Sequence, residues 1–184
     1  MGAQTVILPY GQPSGYAGQA TKIIDTTSAV NKEASSNIQY GLGVKPGVLV
    51  KEMLLPTANS SILDGVVLSE MVDAPGSFGD IDQTSATKGI KPGTMGTLLK
   101  KGRCFVIVDG DAAVTPNVTR LYWRFETDGG SNTLVGTFRH TDDGHVADTR
   151  KQVLAIGPIF SAADVLDGGT TKICEVYVSA EVSA

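Results

Sequence analysis

The alternation of apolar and polar positions is clearest near the end of the chain, at residues 173–182. A period of two residues is the period of a β-strand, in which successive side chains point to opposite faces. The polar face of this segment carries Glu175 and Glu181. The apolar face comprises Cys174, Val176, Val178, Ala180 and Val182. The pattern predicts a final strand that buries Cys174, Val176 and Val178.

Similar short segments recur at intervals of roughly ten residues. Runs rich in β-branched and aromatic residues occupy 38–44, 48–55, 61–69, 103–108, 120–125, 133–138 and 153–156. Turn-forming residues separate them: Lys91-Pro92-Gly93 predicts a turn, Gly102 predicts a break between strands, and Asp109-Gly110 predicts a two-residue hairpin. This spacing predicts an all-β domain, a β-sandwich or a jelly-roll-like barrel of roughly eight or nine strands over 38–182. Residues 161–166 are the one candidate for a helical turn.

The first 30 residues follow no such period. Small polar residues and glycines alternate there with isolated apolar ones, with a possible short edge strand at 22–25. We therefore predict an extended arm at 1–30 and a single β domain at 31–184. The apolar residues of the arm would be exposed without a partner on an isolated monomer. We therefore expect the arm to be ordered against a neighbouring subunit by strand addition. The predicted interface residues are Ile7, Tyr10, Tyr16 and Ile24.

Composition narrows the possible partners. Charged residues make up 18% of the chain, below the roughly 25% of ordinary soluble domains, and there are 22 glycines. A small, neutral surface of this kind suits a protein that lies against other proteins. The net charge of −4 argues against a nucleic-acid partner, and no apolar run approaches the roughly 20 residues of a membrane span. The two cysteines, Cys104 and Cys174, do not make a disulfide framework and are interpreted as buried small hydrophobes.

Two clusters could carry chemistry. Residues 139–148 hold His140 and His145 among several aspartates, which could bind a divalent metal in a hydrolase. Their spacing fits no known closed metal site, so a solvated loop is the favoured interpretation. The run Tyr122-Trp123-Arg124-Phe125 could provide, together with Tyr177, an exposed platform for a carbohydrate. Alternation instead predicts core packing, with Tyr122 and Arg124 on one side of the strand and Trp123 and Phe125 on the other.

No ordered set of acid, base and nucleophile is found along the chain, so we predict that the protein is not an enzyme and assign no catalytic, cofactor-binding or metal-binding residue. A loop of about 18 residues at 71–88 is long for a compact domain and is interpreted as a binding loop or a flexible excursion.

Taken in order, several segments resemble one known family. They are Gly15-Tyr16-Ala17-Gly18-Gln19 with Ile24-Asp25, then IQYGLGVKP at 38–46, LDGVV at 63–67, LKKGRCFVIV at 99–108 and RLYWRF at 120–125. Together they resemble the structural cement proteins of tailed bacteriophages over about residues 15–125. The resemblance implies a virion protein on the outer capsid surface at junctions between major capsid protein subunits. The implied partners are the major capsid protein and further copies of this chain, as a dimer or trimer. It implies no cofactor, and synthesis in the host bacterial cytoplasm.

Overall fold

Nine strands joined in one mixed sheet make up the part of the chain that the computed structural model describes, which comprises residues 17–58, 61–69, 89–109, 113–126, 134–141, 149–161 and 172–179. The only helical segment in those ranges is a single 3-10 turn, Thr149–Lys151. The strands are β1 Ala20–Asn31, β2 Gly43–Pro46, β3 Glu52–Leu54, β4 Gly65–Val67, β5 Met95–Asp109, β6 Arg120–Trp123, β7 Phe138–Arg139, β8 Gln152–Ser161 and β9 Lys172–Ser179. The prediction of an all-β fold is confirmed. Ser161 ends β8, and the remainder of the predicted helical turn at 161–166 lies outside the described residues.

The pairing of the strands closes two circuits. Hydrogen-bonded neighbours follow the order β1-β3-β2-β4-β5-β7-β6-β8-β9, and β5 also pairs with both β1 and β9. We call β1-β3-β2-β4-β5 the first ring and β5-β7-β6-β8-β9 the second ring. Strand β5 belongs to both rings, since it pairs antiparallel with β1 from Met95 to Cys104 and with β9 from Lys101 to Ile107.

Each ring has its own hydrophobic core, and the wall formed by β4 and β5 separates the two. Val67 and Leu98 point into the first core, whereas their neighbours Val66 and Leu99 point into the second. Because this wall is buried on both faces, the paired segments Val66-Val67 and Leu98-Leu99 are apolar at consecutive positions and do not alternate. The first core also holds Ala29, Ile38, Leu42, Val44, Met53 and Ile90.

A one-residue bulge in β5 changes which residues face the second core. The ladder to β1 pairs Leu99 with Thr26 and then Lys101 with Asp25, so Lys100 is skipped. Before the bulge the odd-numbered Leu99 faces the second core, and after it the even-numbered Cys104 faces that core, as a bulge requires. The skipped Lys100 is buried, and its amine pairs with the Asp64 carboxylate.

The predicted strand break at Gly102 is wrong, because β5 runs through this position without interruption. Gly102 has a φ of 144°, and an added Cβ would lie 2.2 Å from the carbonyl oxygen of Lys22. Glycine is therefore needed here for the close approach of β1, which sequence alone does not distinguish from a turn.

The predicted hairpin at Asp109-Gly110 is also wrong, and the predicted alternation over 122–125 does not reach Arg124. Strand β5 ends at Asp109, and β7 lies between β5 and β6, so the last two do not pair. Gly110 itself lies outside the described residues. Strand β6 ends at Trp123, so the alternation stops before Arg124. The Arg124 guanidinium turns inward and pairs with the buried Asp109 carboxylate, and its Nε donates to the Glu126 carbonyl (2.5 Å).

The predicted face of the last strand is confirmed. Cys174, Val176 and Val178 are all fully buried in the second core. Both cysteines are free and buried, which confirms their interpretation as small hydrophobes. Burial raises the pKa of the Cys174 thiol to about 12 and raises the pKa of the Cys104 thiol further, which keeps both protonated at neutral pH.

Strand β1 occupies most of the second half of the segment that was predicted to be an arm. It pairs with β5 from Ala20 to Val30, so it is longer than the edge strand predicted at 22–25. Residues 1–16 lie outside the described residues, and the division into an arm and a domain stays a prediction for them.

Candidate functional site

Two turns lie side by side at one end of the first ring. The turn at 47–51 joins β2 to β3, and the turn at 91–94 leads into β5. Both are bonded to the end of β1. The Val30 amide donates to the Lys51 carbonyl (2.8 Å), and the Asn31 amide donates to the Thr94 carbonyl (2.9 Å). We call residues 30–33, 45–52 and 91–95 the turn end. It contains both Lys-Pro-Gly tripeptides of the chain.

The turn at 47–51 is held in one conformation by its own hydrogen bonds. The Gly47 amide donates to the Glu52 carbonyl (3.0 Å), and the Leu49 amide donates to the Glu52 carboxylate (2.9 Å). A Cβ on Gly47 would lie 2.4 Å from the Glu52 Cβ, so no larger residue fits. Lys51 has a left-handed φ of 67°, which is uncommon for a residue with a side chain.

The apolar side chains of this turn point into solvent. Val48, Leu49 and Val50 are 95%, 67% and 91% exposed. The strand predicted at 48–55 is wrong in its first half, because the observed strand β3 begins only at Glu52. Met95 is also exposed and lies two strands from Glu52, roughly 10 Å away, with Val30 between them. Contiguous exposed apolar side chains on a fixed loop are typical of a surface that another molecule covers.

The charge of the turn end is opposite in sign to that of the whole chain. It carries four lysines and two glutamates, a net charge of +2, on a chain whose net charge is −4. The four lysines are Lys32, Lys45, Lys51 and Lys91. Both glutamates accept hydrogen bonds from backbone amides, Glu52 from Leu49 and Glu33 from Leu55 (2.7 Å). The Lys32 ammonium also pairs with the Glu52 carboxylate (3.5 Å), and Lys51 is exposed next to the apolar side chains of the turn.

A second exposed apolar position includes one of the predicted interface residues. Ile24 and its neighbour Ile23 are exposed on β1, in a stretch that is exposed on both faces from Thr21 to Thr26. Within the described residues β3 pairs with β1 only at Val30 and Asn31, so β3 leaves the rest of this edge uncovered. The other predicted interface residues, Ile7, Tyr10 and Tyr16, lie outside the described residues.

The two alternative sites find no support in the geometry. Trp123 is fully buried in the second core, so the exposed platform required by a carbohydrate-binding module is not formed. His140 is exposed just after β7, and His145 lies outside the described residues. Among the residues that are described, no group of three or more His, Cys, Asp or Glu side chains could hold a metal ion. No helix there is both long and apolar enough to cross a membrane.

Comparison with known proteins decides the family. A family model described as "Structural cement protein (E217 gp24/Pam3 gp6)" matches residues 4–178. The chain belongs to this family. The resemblance seen over residues 15–125 is thus confirmed and extends to β9. No curated protein matches the chain. As a structural cement protein, it is a structural component of the phage virion and associates with the capsid.

Proposed function

We propose that this cement protein binds the outer surface of the assembled capsid, at junctions between major capsid protein subunits, and holds those subunits together. The observation that carries the proposal is the family match over residues 4–178. The protein would be made in the host cytoplasm and act by binding alone, with no reactive group taking part. Association with further copies as a dimer or trimer belongs to the same proposal.

The arrangement of exposed apolar residues supports a bridging role. The turn end and the pair Ile23 and Ile24 lie at different points along β1, about six residues or roughly 20 Å apart. One rigid strand therefore carries two apolar surfaces, and two surfaces at this separation suit contacts with two neighbouring subunits. In this proposal the arm provides a further contact, through Ile7, Tyr10 and Tyr16.

Bridging would stabilise the shell by linkage. A ligand that binds only the assembled state favours that state by about 2.7 kcal/mol per site at a free concentration of 100 times Kd. Many such sites on one shell act together, so a modest affinity per site is sufficient for cementing.

The test uses closed shells of the major capsid protein that lack the cement protein. Purified full-length protein should sediment with these shells and raise the temperature at which they dissociate. Closed, DNA-filled shells should bind it equally well, since the site is on the outside. Binding to unassembled capsid subunits with the same affinity as to shells would contradict the junction site.

Deletion of residues 1–16 tests the arm while leaving β1 in place. We expect the shortened protein to fold, because all nine strands remain, but to occupy fewer sites on the shell at equal concentration. The fold is checked by fluorescence of Trp123. Unchanged occupancy would show that Ile7, Tyr10 and Tyr16 make no contact with the shell or with a neighbouring copy.

A further inference from the structure

The turn at 47–51 exposes its apolar side chains although its backbone is fixed. Val48 and Val50 are almost fully exposed, and neither belongs to a hydrophobic core. The hydrogen bonds from Gly47 and Leu49 to Glu52 hold the loop in this form without a partner. A partner that covers the loop gains apolar burial and does not have to order the backbone, which favours tight binding.

The shape of the loop constrains the surface that receives it. Residues 48–51 connect two antiparallel strands whose last pair is Pro46 with Met53, so the loop forms the convex tip of a hairpin. Three consecutive side chains on a convex tip are all covered only if the partner is concave. A flat surface would leave part of Val48 or Val50 in water.

Charge identifies the chemistry of the partner. Two turn ends from two copies of this chain would each carry a net charge of +2, so their direct contact is repulsive. An acidic rim would instead attract Lys51, which is exposed on the tip, whereas the Lys32 ammonium already pairs with the Glu52 carboxylate (3.5 Å). A polyphosphate such as DNA would satisfy the lysines but would leave the three apolar side chains without a function.

We propose that the turn end is the docking face for the shell. Val48, Leu49 and Val50 insert into an apolar recess on the major capsid protein, and carboxylates at the border of that recess face the exposed lysine of the tip. This assignment rests on the proposed function, and it adds the contacting loop and the chemistry of the surface that receives it.

The first test compares serine substitutions at two exposed apolar sites. The triple variant Val48→Ser/Leu49→Ser/Val50→Ser should bind shells at least about 100-fold more weakly than the wild type, because the anchoring side chains are lost. The matched control is Val118→Ser, since Val118 is exposed on a turn of the second ring; its affinity should stay within about twofold. Trp123 fluorescence and the urea midpoint should be unchanged in both, because the substituted side chains are exposed.

The second test addresses the acidic rim. Lys51→Glu should weaken shell binding about tenfold in low salt and less in high salt, because opposite charges at an exposed rim are screened. Lys101→Glu is the control, since Lys101 is an exposed lysine elsewhere on β5 and the same charge reversal there should have little effect. If Lys51→Glu binds as the wild type does at every salt concentration, the acidic rim is refuted.

A cross-linking experiment names the partner directly. Cys104 and Cys174 are buried, so Leu49→Cys provides the one accessible thiol in the described part of the chain and can be labelled with a photoactivated cross-linker. Illumination on the shell should yield a conjugate with the major capsid protein, and Val118→Cys should yield much less. A conjugate with a second copy of this chain or with DNA would overturn the proposal.

The proposed function and the docking face are refuted by different outcomes. If the wild type does not bind shells, the proposed function is refuted. If the wild type binds and the triple serine variant binds equally well, the proposed function stands and the docking face is refuted.

Discussion

The two rings use their apolar residues in different ways. Among the described residues, the second ring encloses fifteen buried residues, including Trp123, Phe138 and both cysteines, whereas the first ring encloses eight, none of them aromatic. In the described part of the chain, six of the seven large exposed hydrophobic residues nevertheless belong to the first ring, and only Val118 belongs to the second. The second ring therefore provides most of the stability, and the first ring provides most of the surface available to a partner.

Two buried ion pairs, one in each half, offer the largest test of this comparison. Arg124→Met should lower the free energy of unfolding by about 3–5 kcal/mol, because the Asp109 carboxylate stays buried without its counter-charge. Lys100→Met should lower it by only about 1 kcal/mol, since the Asp64 side chain in the first ring is more exposed to water. Urea unfolding measures both values.

The double variant Arg124→Met/Asp109→Leu is the control for the larger effect. Removing both charges should restore most of the lost stability, because no buried charge is left unpaired. Equal losses for Arg124→Met and Lys100→Met would show that the two halves contribute alike.

The shared wall predicts that the rings unfold together despite their different cores. Leu98→Ala affects the first core and Leu99→Ala the second, and each should lower the free energy of unfolding by about 2–5 kcal/mol. The single tryptophan lies in the second core, so its fluorescence reports on that half, while circular dichroism reports on all strands. In both variants the two signals should change at the same urea concentration. Loss of dichroism before fluorescence in Leu98→Ala would show that the first ring unfolds separately.

The last prediction concerns alkaline pH and the second core. The folded pKa of both thiols lies above the unfolded value of 9.0, with Cys174 at about 12, so unfolded thiols lose their protons first as the pH rises. Stability from this source is complete below pH 9 and falls as the pH rises from 9 toward 12. The variant Cys104→Ala/Cys174→Ala, measured over the same range, should show a shallower fall. If stability falls equally steeply with pH in the wild type and in the double variant, the raised pKa of the two thiols is refuted.

Sequence patterns predicted a strand correctly where one of its faces is buried and the other is more exposed to solvent. The apolar face predicted at 173–182 is confirmed in β9 at Cys174, Val176 and Val178, while Ala180 and Val182 lie outside the described residues. The Lys91-Pro92-Gly93 turn is confirmed by the bond from the Thr94 amide to the Lys91 carbonyl (3.1 Å) and by a φ of 76° at Gly93. Strand β1 was largely missed because its residues 21–26 are exposed on both faces and show no period. Strand β1 is held in place by pairing with the edge of β5, about 75 residues later in the chain. A sequence pattern over 11–18 residues cannot detect so distant a partner.

The candidate site was missed for a related reason. Val48-Leu49-Val50 has the composition of a strand, and its place after Lys45-Pro46-Gly47 was the one indication of a tip. The loop is fixed by the hydrogen bonds that the Gly47 and Leu49 amides donate to Glu52 and by the left-handed backbone conformation of Lys51. Neither feature can be predicted from amino-acid composition. The buried Arg124 likewise depends on Asp109, fifteen residues earlier.

The long ladder between β1 and β5 has a mechanical consequence. Nine residue pairs join the two strands, and their hydrogen bonds lie perpendicular to the strand direction. If the turn end is fixed to a shell that expands under the pressure of its contents, tension along β1 loads these bonds together in shear. The short hairpin of β2 and β3 has only two such residue pairs to resist the same load. Attachment of the hairpin to β1 through Val30 and Lys51 passes the load to the stronger element, so the protein acts as a tie between the points it joins.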